Sequence, residues 1–166
     1  MTRILVAGVG NIFCGDDAFG VEVARRLART EPALDADVVD FGIRGLDLAF
    51  ALTDRYDIAI LIDAAPRGEE PGTLSVVEPQ LDEVQESGFV DAHGLDPATV
   101  LRNAARLGGT CAKTLLVACE PATLGFEDGV MGLSEPVAAA VEPATSLVKR
   151  LVASLREAEP LKGDAQ

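Results

Sequence analysis

Three stretches of the chain are apolar without interruption: Arg3 to Gly8 after its first residue, Ile58 to Ile62, and Thr114 to Ala118 after its threonine. None alternates with period two, so each predicts a strand buried on both faces. Ala36 to Asp40 and Thr73 to Val77 predict two further strands. Between the strands the spacing changes to that of helices. From about Asp17 to Thr30, Phe19, Val21, Val23, Ala24 and Leu27 mark an inward side and Arg25, Arg26 and Arg29 an outward one. Leu46 to Thr53 and Pro97 to Leu107 predict two more helices, the second opening on a proline whose missing amide hydrogen is no loss there. Ser134 is placed to cap a last helix reaching about Leu155, with a kink or break expected at Pro143. Glu78 to Ala92 carries no readable period.

Alternating strands and helices predict an α/β fold, a three-layer αβα sandwich. Its five-stranded sheet should be mostly parallel, with the three apolar strands at its centre. The strand at Thr73 follows its predecessor after only a short turn-rich loop, Arg67 to Gly72, so it is the one expected to run antiparallel. Residues 1–160 are expected to form one domain, with 161–166 a loose tail.

Composition narrows the partners. The formal charge is −13, which would repel a phosphate backbone, so nucleic acid is not an expected partner. No apolar run approaches the ~20 residues that span a bilayer, and no secretory leader is apparent, so a cytoplasmic protein without a membrane partner is expected. Cys14, Cys111 and Cys119 are odd in number and show no CxxC spacing, which suits reduced thiols. Nothing argues against a monomer.

The chemistry gathers after the first strand, in Gly8-Val-Gly-Asn-Ile-Phe-Cys-Gly-Asp-Asp-Ala-Phe-Gly20. Gly8 and Gly10 imitate a dinucleotide-binding loop, but Phe13 stands where its third glycine belongs. Asp16 and Asp17 would also repel a pyrophosphate. Ligand sites of open α/β sheets lie at the carboxyl ends of the strands, where the winding reverses. Asp16, Asp17 and Asp63, each following or ending a strand, would converge there if the first and third strands are neighbours. Like charges held together need a cation or a shared proton. His93, the single histidine, sits in Asp91-Ala-His-Gly-Leu95 before a helix start. Carboxylates with an imidazole suit nickel or zinc, but spacing alone does not assign the set. A helix dipole would account for one acid of the pair and leaves the other unexplained.

Taken together, Gly8-Val-Gly-Asn11, Gly15-Asp-Asp17, Ile62-Asp-Ala64, Asp40-Phe-Gly-Ile-Arg-Gly45, His93-Gly-Leu95 and Cys119-Glu-Pro121 resemble the hydrogenase maturation protease family in order and spacing. The resemblance implies a phosphorylase/hydrolase-like sandwich. It implies an endopeptidase, aspartic-type or metal-dependent, that removes a C-terminal extension from the large-subunit precursor of a nickel–iron hydrogenase once nickel is in place. Carried over by position, Asp17, Asp63 and His93 would contact the metal, which is the substrate's nickel, or zinc or another divalent cation in its place. Asp17 or Asp16 would act as general base. Gly42, Gly45 and Asn11 would border the bound peptide. Relatives often carry glutamate at the position of Asp17, and glycine at that of Ala18. The competing readings are a nucleotide-binding domain and a maturation chaperone without catalysis.

Overall fold

In the computed structural model, residues 2–54, 56–79, 97–108, 113–124 and 131–158 are described. Among these residues the sheet has five strands: β1 (Ile4–Val9), β2 (Asp37–Gly42), β3 (Ile58–Ala64), β4 (Leu74–Val77) and β5 (Lys113–Cys119). The helices are α1 (Phe19–Thr30), α2 (Gly45–Asp54), α3 (Pro97–Arg106) and α4 (Glu135–Glu157). The strand order is β2-β1-β3-β5-β4. β2, β1, β3 and β5 run parallel, and β4 pairs antiparallel with β5 through Leu74–Cys119 to Val77–Leu116.

The apolar runs behave as their composition demands. All six residues of β1 are buried, as are the last six of β3 and of β5. Strand alternation then divides them between two cores. Ile4, Val6, Ile60, Ile62 and Val117 pack beneath α1 and α4. Leu5, Ala7, Leu61, Leu116 and Ala118 pack beneath α2 and α3. Each fully buried aliphatic side chain contributes about 1.5–3 kcal/mol, so the centre of the sheet holds most of the stability. The edge strand β2 is only partly covered, and its sequence is correspondingly more polar.

Three details depart from the sequence-based expectation. The first helix does not begin at Asp17. A 3-10 turn, Gly15–Ala18, comes first, and α1 starts at Phe19. The last helix runs through Pro143 without a break. Pro143 and Ala139, the residue whose carbonyl loses its amide partner, are both exposed, so water can serve that carbonyl. Ala140, Val141, Ala144 and Thr145 are buried on the other side and hold both halves to the sheet. Ser134 precedes α4 in an extended conformation, as a cap should, but its side chain makes no capping bond.

The winding reverses between β1 and β3. The chain leaves β1 through α1 toward β2 on one side, and after β3 it goes to β4 and then β5 on the other. α1 crosses this point very closely. A Cβ on Gly20 would lie 2.0 Å from the Ile62 carbonyl oxygen and 2.5 Å from that of Val9. A Cβ on Gly8 would lie 2.3 Å from the Gly20 carbonyl oxygen. Gly20 therefore serves the close helix–strand approach for which a nucleotide loop uses its third glycine. Replacing Gly20 by alanine should destabilise the fold by about 1–3 kcal/mol or more, because backbone must move. Urea unfolding would measure it, and an unchanged midpoint would contradict the close approach.

Candidate active site at the sheet switch point

The loop after β1 is built by its own main chain. The Cys14 amide donates to the Asn11 carbonyl at 3.1 Å and the Asp17 amide to the Cys14 carbonyl at 3.0 Å. The Gly10 amide reaches across to the Gly42 carbonyl at 3.0 Å and ties this loop to the end of β2. Gly10 has φ +145, and a Cβ there would meet the Asp17 carbonyl oxygen at 1.8 Å. The turn is thus compact because glycine lets it fold back on itself.

The two adjacent acids go different ways. Asp16 is fully buried, at 0 % exposure. Its carboxylate accepts hydrogen bonds from the amides of Ala122 (2.8 Å), Thr123 (3.1 Å) and Ser134 (2.7 Å), and from the Ser134 hydroxyl (2.8 Å). The Asp16 amide in turn donates to the Thr123 carbonyl at 3.0 Å. This is where the Ser134 hydroxyl is spent instead of capping α4. Burial alone would raise the Asp16 carboxyl, but the Ser134 and Thr123 amides, the Ser134 hydroxyl and the Ala122 amide together hold it below its ordinary value of 3.8.

Asp17 is only half-buried. One of its oxygens accepts the Asn11 amide at 2.9 Å. The Asn11 side-chain oxygen accepts the Phe13 amide at 2.9 Å, so Asn11 acts here as a scaffold for the loop. Asp63 is the penultimate residue of β3, paired in register with Ala118, and is 7 % exposed. By the alternation of β3 it shares the face of Ala59 and Leu61, the α2 and α3 side. The 3-10 turn with Asp17 belongs to the α1 side and packs against β3. Both acids therefore stand at the carboxyl end of the sheet and border the switch point from opposite faces. His93, with Asp91, lies outside the described residues, as does Cys111. Among the described residues no group of three His, Cys, Asp or Glu side chains is close enough to hold a metal ion.

Beside this point opens a cleft of about 360 Å³ walled by Asn11, Phe13, Arg25, Phe41, Gly42 and Arg44, among others. Gly42 has φ +54, a conformation that glycine adopts readily. Gly45 lies just beyond the wall as the first residue of α2, its amide bonded to the Ile43 carbonyl at 3.0 Å. Arg44 stiffens this loop, donating to the carbonyls of Asp40 (2.7 Å) and Phe41 (3.3 Å). Arg25 pairs with the Asp40 carboxylate at 3.1 Å. In the sequence Arg25 read as an outward charge of the first helix, and Arg44 stood only within the motif from Asp40 to Gly45.

Cys119 ends β5 and is fully buried. Burial first, then the charges of Asp16 and Glu120, push its thiol up to about 11. It stays protonated at neutral pH and offers no thiolate nucleophile.

The molecule is of the class of open α/β sandwiches, with carboxylates at the carboxyl end of its sheet, where the winding reverses. Within that class, residues 21–151 match the HycI model, hydrogenase maturation protease, and the chain belongs to this family. The chain is 31 % identical to hydrogenase 2 maturation protease of Escherichia coli, over 93 % of its own length and 92 % of the relative's. It superimposes on the hydrogenase maturating endopeptidase HybD of Escherichia coli with a TM-score of 0.73 at 30 % identity, covering 95 % of this chain and 94 % of that one. For the hydrogenase maturation protease HycI of Thermococcus kodakarensis the TM-score is 0.68 at 26 % identity, with 92 % and 93 % covered. The family is one of proteases, and the mixed five-stranded sheet with its helices is the fold of its solved members. No helix among the described residues is long and apolar enough to cross a membrane.

Asp16→Asn keeps the shape but turns an amide group toward hydrogen-bond donors. It should cost about 2–3 kcal/mol at neutral pH. Because the folded pKa is depressed, the stabilisation is full above the ordinary carboxylate value and is lost as pH falls through the folded one. The gap between wild type and Asp16→Asn in denaturant unfolding should therefore close as pH drops below about 4. A gap independent of pH would contradict an ionised Asp16.

Proposed function

We propose that this protease is an endopeptidase that removes the C-terminal extension of a nickel-loaded hydrogenase large-subunit precursor, and that it recognises the nickel carried by that substrate. The observation that carries the reading is that Asp17, in the turn after β1, and Asp63, near the end of the neighbouring β3, border one switch point from opposite faces of the sheet. The relatives, hydrogenase maturation proteases, supply the substrate class.

In this reading Asp17, Asp63 and His93 contact the substrate's nickel, and the scissile peptide lies beside it. Asp17 is the general base. It takes a proton from water as the water oxygen bonds to the scissile carbonyl carbon. The proton passes on to the leaving amide nitrogen as the carbon–nitrogen bond breaks. Asp17 suits this role because it is the more exposed of the adjacent acids and is oriented by the Asn11 amide. Asp16, with both oxygens already accepting hydrogen bonds, supports the turn instead. The cleft beside Gly42 and Asn11 receives the peptide, and Gly45 lets α2 start close to it.

The test is mass spectrometry of nickel-loaded precursor incubated with wild type, Asp17→Asn, Asp63→Asn and His93→Ala. Each variant should lose activity by about a hundredfold or more. Nickel-free precursor should remain uncut by the wild type. Wild-type cleavage by Asp17→Asn would remove the base, and equal cleavage of nickel-free precursor would remove the recognition of nickel.

A further inference from the structure

One buried carboxylate is used by neither the fold's core nor the chemistry assigned so far. Glu120 follows the last residue of β5 and is 8 % exposed. It faces the excursion that leaves β3 after Ala64, the residue following Asp63, and returns as β4. The main chain pins both ends of that excursion to the end of β5. The Ala65 amide donates to the Cys119 carbonyl at 3.0 Å, the Gly72 amide to the Glu120 carbonyl at 2.8 Å, and the Glu120 amide to the Thr73 carbonyl at 2.9 Å. Any residue at position 120 other than proline would keep these bonds. The side chain adds something they do not supply: its Oε2 accepts the Arg67 amide at 2.6 Å. Residues Pro66 to Glu70 are exposed, so this tether holds a stretch that packing leaves alone.

A carboxylate removed from water costs free energy unless its bonds compensate. A short charge-assisted bond to a main-chain amide is among the stronger restraints a side chain can give. Here it acts four residues after a site acid, on the only stretch between Asp63 and the pinned return at Gly72 that main-chain bonds to β5 do not reach.

We propose that Glu120 is a positioning residue for peptide cleavage: by holding the Arg67 amide it fixes the turn behind Asp63 and so the direction of the Asp63 carboxylate. This rests on the reading of Asp63 as a site residue given above. The side chain acts as an acceptor, so glutamine can replace it and alanine cannot.

The test compares Glu120→Gln and Glu120→Ala with wild type, using steady-state cleavage of nickel-loaded precursor and amide hydrogen exchange at Arg67. Glu120→Ala should lower kcat by about ten- to a hundredfold while KM stays within about twofold. Glu120→Gln should restore kcat to within about threefold of wild type. Arg67 exchange should accelerate in the alanine variant and stay slow in the glutamine variant. A folded Glu120→Ala with wild-type kcat, a change in KM alone, or a glutamine variant as slow as the alanine one would each overturn the proposal. Should Glu120→Ala not fold, Glu120→Gln decides by its kcat and its Arg67 exchange. Asp63→Asn is run beside them. If it is inactive while Glu120→Ala keeps its kcat, only the positioning role falls; if Asp63→Asn is fully active, the site reading falls and this proposal with it.

Discussion

The buried carboxylate of Asp16 holds the first loop of the chain to its last connection, and the site stands on that bond. Ser134 is 118 residues further along, yet its amide and hydroxyl both end on Asp16. Ala122 and Thr123 complete the grip from the end of β5. A carboxylate stripped of water would be costly alone; with these donors around it, the charge becomes a strong restraint. The consequence is local and specific. The 3-10 turn is pinned at Asp16, and the next residue, Asp17, is presented at the sheet's end.

The second constraint is steric. Gly8 and Gly20 let α1 cross the strand ends at backbone contact, and Gly10 lets the turn close on Asp17. Larger residues would lift the helix and carry Asp17 away from Asp63. The candidate site thus rests on features far from chemistry in appearance: three glycines without side chains and a fully buried acid. The cleft beside them is equally braced, through Gly10 to Gly42 and through Arg44 to the carbonyls of Asp40 and Phe41. A rigid cleft is what a peptidase needs to hold a scissile bond near its base.

Much of this was legible in the residues. Unbroken apolar runs foretold β1, β3 and β5 as the buried centre, and a loop too short for a crossover helix foretold one antiparallel strand, though not that β4 would pair with β5 instead of β3. The antiparallel strand follows from chain length alone. Other features were not legible, for a physical reason. Asp16 and Asp17 are identical in type and adjacent, and only partners more than a hundred residues away separate the buried one from the accessible one. Ser134 read as a helix cap because local sequence favours that, while a long-range acceptor claimed its hydroxyl. Pro143 read as a break because its missing amide is a local fact, while the packing of Ala140 and Ala144 beneath it is not. The Glu120 tether to Arg67 likewise joins positions that no spacing rule links. His93 lies outside the described residues, and its proposed role comes from the family resemblance alone.

The proposed site depends on Asp16 being an ionised, hydrogen-bonded anchor beside Asp17, the proposed base. Carboxyl-carbon NMR during an acid titration of the folded protein reads it directly. In the folded protein Asp16 should titrate with a midpoint below the ordinary 3.8. An Asp16 that titrates at or above that value while the protein stays folded would contradict it.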